Sequence, residues 1–276
     1  MSIIEYFENI PSLHRALILG GGIAFFWMLE TLIPLFQFKY RKFNHALPNL
    51  FLTLTTVIVN LLFAFLIVYT SDYLSGKQIG ILYIFSLPLW AFILLGIMIL
   101  DLIGAWLIHF IEHQVHWMWR FHIVHHTDMH VDTTTANRHH PIESVFRATF
   151  TLLAVIVSGA PIYLVMLYQS VSVILSQFNH ANISFPPVID KLISFIIVSP
   201  NMHKVHHHFK RPLTDTNYGN IFAIWDRIFG TFASVLSPKK DLVYGIDAHM
   251  DEKESQQTLN LLAIPFKKDS RSETNE

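Results

Sequence analysis

Asp101-Leu-Ile-Gly-Ala-Trp-Leu-Ile-His109-Phe-Ile-Glu-His113 is an apolar run that ends in two histidines four residues apart. On an α-helix, positions i and i+4 lie one above the other, so these imidazoles share a face. His122-Ile-Val-His125-His126 and His203-Lys-Val-His206-His207 follow, and in each the i, i+3 and i+4 spacing converges on one side. Three helical segments thus present two, three and three imidazoles. Rings stacked in this way repel one another on protonation. They are costly to bury neutral unless a positive centre is shared among them. A lone histidine on an apolar helix is an ordinary core or surface residue. Here 14 of the chain's 17 histidines fall between His109 and His208, and a metal cluster accounts for them.

The chain has no cysteine, which excludes thiolate metal sites, a disulfide framework and a cysteine nucleophile. All-imidazole ligation suits zinc, copper, iron or nickel. Eight nitrogens exceed what one zinc ion takes in a structural or a catalytic site, and they suit two metals.

Of the 276 residues 52% are hydrophobic and 14% charged, against about 25% charged in a soluble domain. Residues 16–36 (Glu30 apart), 47–70 and 79–100 are apolar stretches long enough to cross a ~30 Å hydrocarbon core. Residues 148–189 hold no charged side chain besides His180, and Gly159-Ala160-Pro161 interrupts them. The arm before this break reads as too short to cross, so a re-entrant or tightly folded hairpin returning to its side of origin is expected, the alternative being two ordinary short spans. The fold class expected is all-α: about four membrane elements including that hairpin, with a helical cap holding the histidines. Lys39, Arg41 and Lys42 follow the first span, and Arg120, Arg138, Lys204, Lys210 and Arg211 surround the histidines. By the positive-inside rule that side is cytoplasmic. One domain is expected over 1–267, with its histidine-rich core at about 95–235 and a disordered tail at 268–276. A formal net charge of −1 argues against nucleic acid as a partner.

Together, the HxxxH, HxxHH and HxxHH boxes on a hydrophobic chain of this size resemble the fatty acid hydroxylase/sterol desaturase superfamily, in particular its bacterial members and the alkylglycerol monooxygenase branch. Four further stretches carry the likeness. They are Trp119-Arg-Phe-His-Ile-Val-His-His, Asn137-Arg-His-His-Pro-Ile-Glu143, Gln177-Phe-Asn-His180-Ala-Asn, and Asp215-Thr-Asn-Tyr-Gly-Asn-Ile-Phe running to Trp225-Asp-Arg-Ile-Phe-Gly-Thr231. The resemblance implies two non-haem irons, molecular oxygen and external electrons, used to hydroxylate or desaturate a lipid. It implies as metal ligands His109, His113, His122, His125, His126, His203, His206 and His207, with His180 a ninth. His140 is a tenth candidate, the alternative being a cap on the helix that Pro141 starts.

Asp101, an acid in an apolar helix, is expected either to orient an imidazole N–H or to pair with an arginine. Asp215, Asn217, Asp226 and Arg227 are expected to build the cap. No haem-binding loop of the cytochrome b5 type and no flavin-binding glycine motif is visible. Electrons are therefore expected from a separate donor, a ferredoxin or a cytochrome b5 with its reductase, for which Lys204, Lys210 and Arg211 offer a docking patch, contact with lipid headgroups being the alternative role for these cations. The absence of cysteine and of a lysine-based retention signal favours a bacterial inner membrane. Two other classes compete. A membrane metal transporter or metal-binding protein would use the histidines as a pathway, and a metal-dependent hydrolase would need a general base, with Glu112 and Glu143 the nearby carboxylates.

Overall fold

The computed structural model describes residues 2–235 and 238–267, so the expected disordered tail lies outside the described residues. Among the described residues every regular element is helical, and β pairing is limited to isolated bridges. In chain order the helices are α1 (Ile3–Glu8), α2 (Ser12–Leu32), α3 (Lys42–Gly76), α4 (Leu89–Asp101), α5 (Ile108–Gln114) and α6 (His116–His126). They are followed by α7 (Pro141–Ser158), α8 (Ile162–His180), α9 (Pro187–Ile196), α10 (Pro200–His206), α11 (Ile224–Ile228) and three short helices, α12 (Pro238–Asp241), α13 (Glu252–Gln256) and α14 (Thr258–Ala263). A π turn, Leu102–Leu107, joins α4 to α5, so Leu89–Gln114 is one rod of 26 residues. Val115 is extended (φ −96°, ψ 105°); it ends the rod and folds α6 back against α5.

Five helices are long and apolar enough to cross a membrane by length and composition: α2, α3, the α4–α5 rod, α7 and α8. The outward face of α3 carries Leu61, Leu62 and Phe65 at 64%, 73% and 75% exposure, an apolar surface suited to lipid. This is an integral membrane architecture.

The hairpin is present, but its arms are 18 and 19 residues, where a short first arm and about four membrane elements were expected. Helix α7 begins at Pro141, seven residues before the apolar run. Its first turns carry Glu143 and Arg147, which bond inside the protein and need no exit to water. At about 1.5 Å per residue each arm is ~27 Å long. Gly159 (φ 71°) turns the tip. There Gly80 and Gly159 pass backbone against backbone: a Cβ on Gly159 would lie 2.0 Å from the Ile79 carbonyl oxygen, so only glycine fits. Ser71 Oγ donates to the Ala160 carbonyl (2.7 Å) and ties the tip to the far end of α3.

Polar groups gather at the opposite end. Glu30, in the last turn of α2, accepts from Thr133 N (2.7 Å) and Asn182 N (2.9 Å) and pairs with Lys42 (2.9 Å). Arg138 is wholly buried; it donates to Asn49 Oδ1 on α3 and to the carbonyls of Val124 and Ser255. His45 contacts Asp128 (2.8 Å) and Asp132 (3.3 Å). Arg138 and His45 are thus internal struts, holding α3 to the segment between α6 and α7.

Candidate metal centre

The three boxes fall on α5, α6 and α10, as their spacing requires. Helix α10 is capped by Ser199, whose hydroxyl accepts from Met202 N, and begins at Pro200. His180 is the last residue of α8, and the hairpin returns it to the end from which α7 sets out. His109 and His113 ride the final turns of the α4–α5 rod, not a separate segment outside it.

Nine of the ten expected ligands come together in two groups: His109, His113, His122, His126 and His206 in one, His125, His180, His203 and His207 in the other. All nine are buried. The structure does not bring His140 to either group; its Nδ1 accepts from Ile142 N (3.2 Å), capping α7. His140→Ala is therefore expected to leave metal content unchanged and to cost about 1 kcal/mol of stability, the worth of an N-cap. Metal analysis beside a melting curve checks both, and loss of metal would return His140 to the ligand set.

The protonation pattern shows what the groups fit. A neutral imidazole has one N–H. His109 donates its Nδ1–H to the Tyr218 carbonyl (2.9 Å) and His122 donates its own to Glu143 (2.8 Å), so both Nε2 atoms are bare. Those two Nε2 atoms are 3.1 Å apart, and His126 Nε2 is 3.2 Å from that of His122. Bare lone pairs at that distance repel unless a cation sits among them. In the second group His180 donates Nδ1–H to the Ser176 carbonyl (2.7 Å), and its single Nε2 lone pair faces both His125 Nε2 (3.1 Å) and His203 Nε2 (3.0 Å). Two converging sets of buried, sulfur-free donors can each hold a transition-metal ion.

Around them runs a second layer that the sequence showed only in outline. His113 Nδ1 meets Asp215 (3.0 Å) and His206 Nδ1 meets the Thr216 carbonyl (2.7 Å), so residues 215–218 back three rings at once. Two reciprocal bonds lock that segment to the rod. Asp101 accepts from Trp225 Nε1 (2.9 Å) and from the amides of Ile221 and Phe222, while Asp226 accepts from Trp106 Nε1 (3.0 Å) and the amides of Tyr218 and Gly219. Asp101 thus holds neither an imidazole nor an arginine. Glu112 and Glu143 lie against His122, but Arg147 bonds both (2.6 and 3.0 Å), so neither stands ready as a hydrolytic base. Lys204 is fully buried with Nζ on the Ala181 carbonyl, which removes it from any docking patch. Of that trio, Arg211 is exposed and pairs with Asp215.

Burial, and then the charge of neighbouring rings, holds His122, His125, His126, His203 and His206 well below the usual histidine range; His207 is held down by burial and by His180. A folded-state value below the unfolded one means the unfolded chain takes up protons first as pH falls. Stability of the metal-stripped protein is thus full above pH ~6.5 and lost below it, by up to about 1.4 kcal/mol per pH unit per group. Melting temperatures at pH 7.5, 6.5 and 5.5 check this, and a flat profile would contradict it.

Fold and site together define an all-helical integral membrane protein with a paired histidine centre at one end of its helix bundle. Residues 93–231 match the fatty acid hydroxylase family, and the chain belongs to it. It is 26% identical over 181 residues to ornithine lipid hydroxylase OlsE of Rhizobium tropici, covering 66% of this chain and 52% of that one. Alkylglycerol monooxygenase of Homo sapiens is 30% identical over 146 residues, 52% of this chain and 30% of its own. Cholesterol 25-hydroxylase-like protein 1, member 2 of Danio rerio is 28% identical, over 45% of each chain. The chain therefore spans about half or less of the curated relatives it matches. No solved structure matches it.

Proposed function

We propose that this protein is a membrane-bound lipid hydroxylase or desaturase whose nine clustered histidines hold two non-haem irons. The observation that carries this is the pairing of bare Nε2 atoms in two buried groups, joined to membership of the fatty acid hydroxylase family. Two of the relatives are named for ornithine lipids and alkylglycerols, which supports a lipid as the substrate.

When bound, the irons supply dioxygen reduction and oxidation of an unactivated C–H bond. The chain's own residues do the rest. Asp215, Glu143 and the Tyr218, Thr216 and Ser176 carbonyls fix the tautomer and direction of five rings. Burial of all nine rings keeps water from the centre. The apolar exterior supports the reading that such a lipid reaches the protein from the bilayer. Electrons come from a separate protein of the ferredoxin or cytochrome b5 type. Lys42 pairs with Glu30 at the histidine end of the bundle, so the basic loop of Lys39, Arg41 and Lys42 shares the site's side, which supports a cytoplasmic site in a bacterial inner membrane. A transport pathway would string ligands across the bundle; here they converge at one end.

Purified full-length protein is expected to hold two irons per chain. It should consume oxygen when reductant and membrane lipid are added, giving a hydroxylated or unsaturated lipid by mass spectrometry. Iron-loaded protein inert toward every lipid of its host would sink the proposal.

A further inference from the structure

The nine imidazoles divide five and four, and the two groups are supported unequally. In the five-histidine group, four rings hand their outer N–H to an oxygen: His122 to Glu143, His113 to Asp215, His109 to the Tyr218 carbonyl and His206 to the Thr216 carbonyl. Two of these oxygens belong to carboxylates, and Arg147 clamps Glu143 in place. Among the described residues, only His180 in the four-histidine group is supported in this way, by the neutral carbonyl of Ser176. Nδ1 of His125, His203 and His207 is buried with no hydrogen-bond partner among the described residues. Lys204 sits within the third box, its Nζ on the carbonyl of Ala181, the residue after His180.

An anionic acceptor on the outer N–H raises the basicity of the metal-facing nitrogen, and removing such a partner costs about 10–100-fold in metal affinity. The five-histidine group has two of them and one more nitrogen; the four-histidine group has none among the described residues and lies beside a buried amine. We propose that the two metal positions are ranked, with the five-histidine group holding its ion tightly and filling first, and the four-histidine group filling second and exchanging. This rests on the two-metal function proposed above and adds an order to it.

Titrating cobalt(II) into chelator-stripped, full-length protein in detergent, followed by visible absorption and calorimetry, tests the ranking. Repulsion between two ions would weaken the second step even in equal sites, so variants must identify which group fills first. His180→Ala is expected to keep the first step at wild-type affinity and lose the second, whereas His122→Ala weakens the first. Glu143→Gln and Asp215→Asn keep an acceptor oxygen without its charge, and are each expected to weaken the first step about 10-fold or more while leaving the second. If His180→Ala weakens the first step as much as His122→Ala does, or if the two charge-removing variants change neither step, the ranking is overturned while the two-metal site stands. Wild-type protein that takes up no cobalt would overturn the proposed function, and the ranking with it.

Discussion

Replacing His125 by alanine is expected to remove the metal of the four-histidine group and to bring lipid oxidation down to background. His125 Nε2 lies 3.1 Å from His180 Nε2, at the point where the donors of that group converge. Alanine deletes one of only four nitrogens and leaves a void in its place. Metal per chain is expected to fall from two toward one, with oxygen uptake lost altogether, because a two-metal reaction is not halved by losing one metal. The fold should survive, since the His125 ring makes no hydrogen bond through Nδ1; circular dichroism and a melting curve on the same preparation check that. A variant that keeps both metals and full turnover would remove His125 from the site and the function with it.

The second large effect lies away from the metals. Asp226→Ala strips the acceptor from Trp106 Nε1, Tyr218 N and Gly219 N, and from the Thr231 hydroxyl, with Asp226 itself fully buried. Orphaned buried donors cost about 1–3 kcal/mol each, so with four of them a loss of at least ~4 kcal/mol is expected. The loss should also be felt at the centre, because the Tyr218 carbonyl that orients His109 belongs to the backbone Asp226 holds. The expected result is a lower melting temperature together with weaker metal retention against a chelator. Asp226→Asn, which keeps an acceptor oxygen, is expected to recover part of both. Normal metal retention in a destabilised Asp226→Ala protein would show that the 215–218 segment does not position the histidines.

These two residues mark how far a sequence reading reaches. His125 is legible because helical periodicity is local: i, i+3 and i+4 share a face wherever the chain is helical, and a repeated box multiplies the signal. The apolar spans are legible for a similar reason, since length and composition alone decide whether a helix fits a bilayer. The length of the hairpin arm was not. Glu143 and Arg147 look like the end of a membrane segment when read along the chain, but in space they neutralise each other inside the protein.

By itself, then, the sequence determined an all-helical membrane chain, three boxes of imidazoles sharing faces, and a likeness that pointed to His180. Only the tertiary structure decided how those imidazoles divide, that His140 caps a helix, that Lys204 and Arg138 are buried, and that Asp101 and Asp226 exchange bonds with Trp225 and Trp106. The physical reason is range. Spacing on one helix is set by covalent geometry over a few residues. Which lone pair meets which, and which carboxylate stands behind which ring, depends on side chains about 100 residues apart in the case of His113 and Asp215, and no local pattern records that distance.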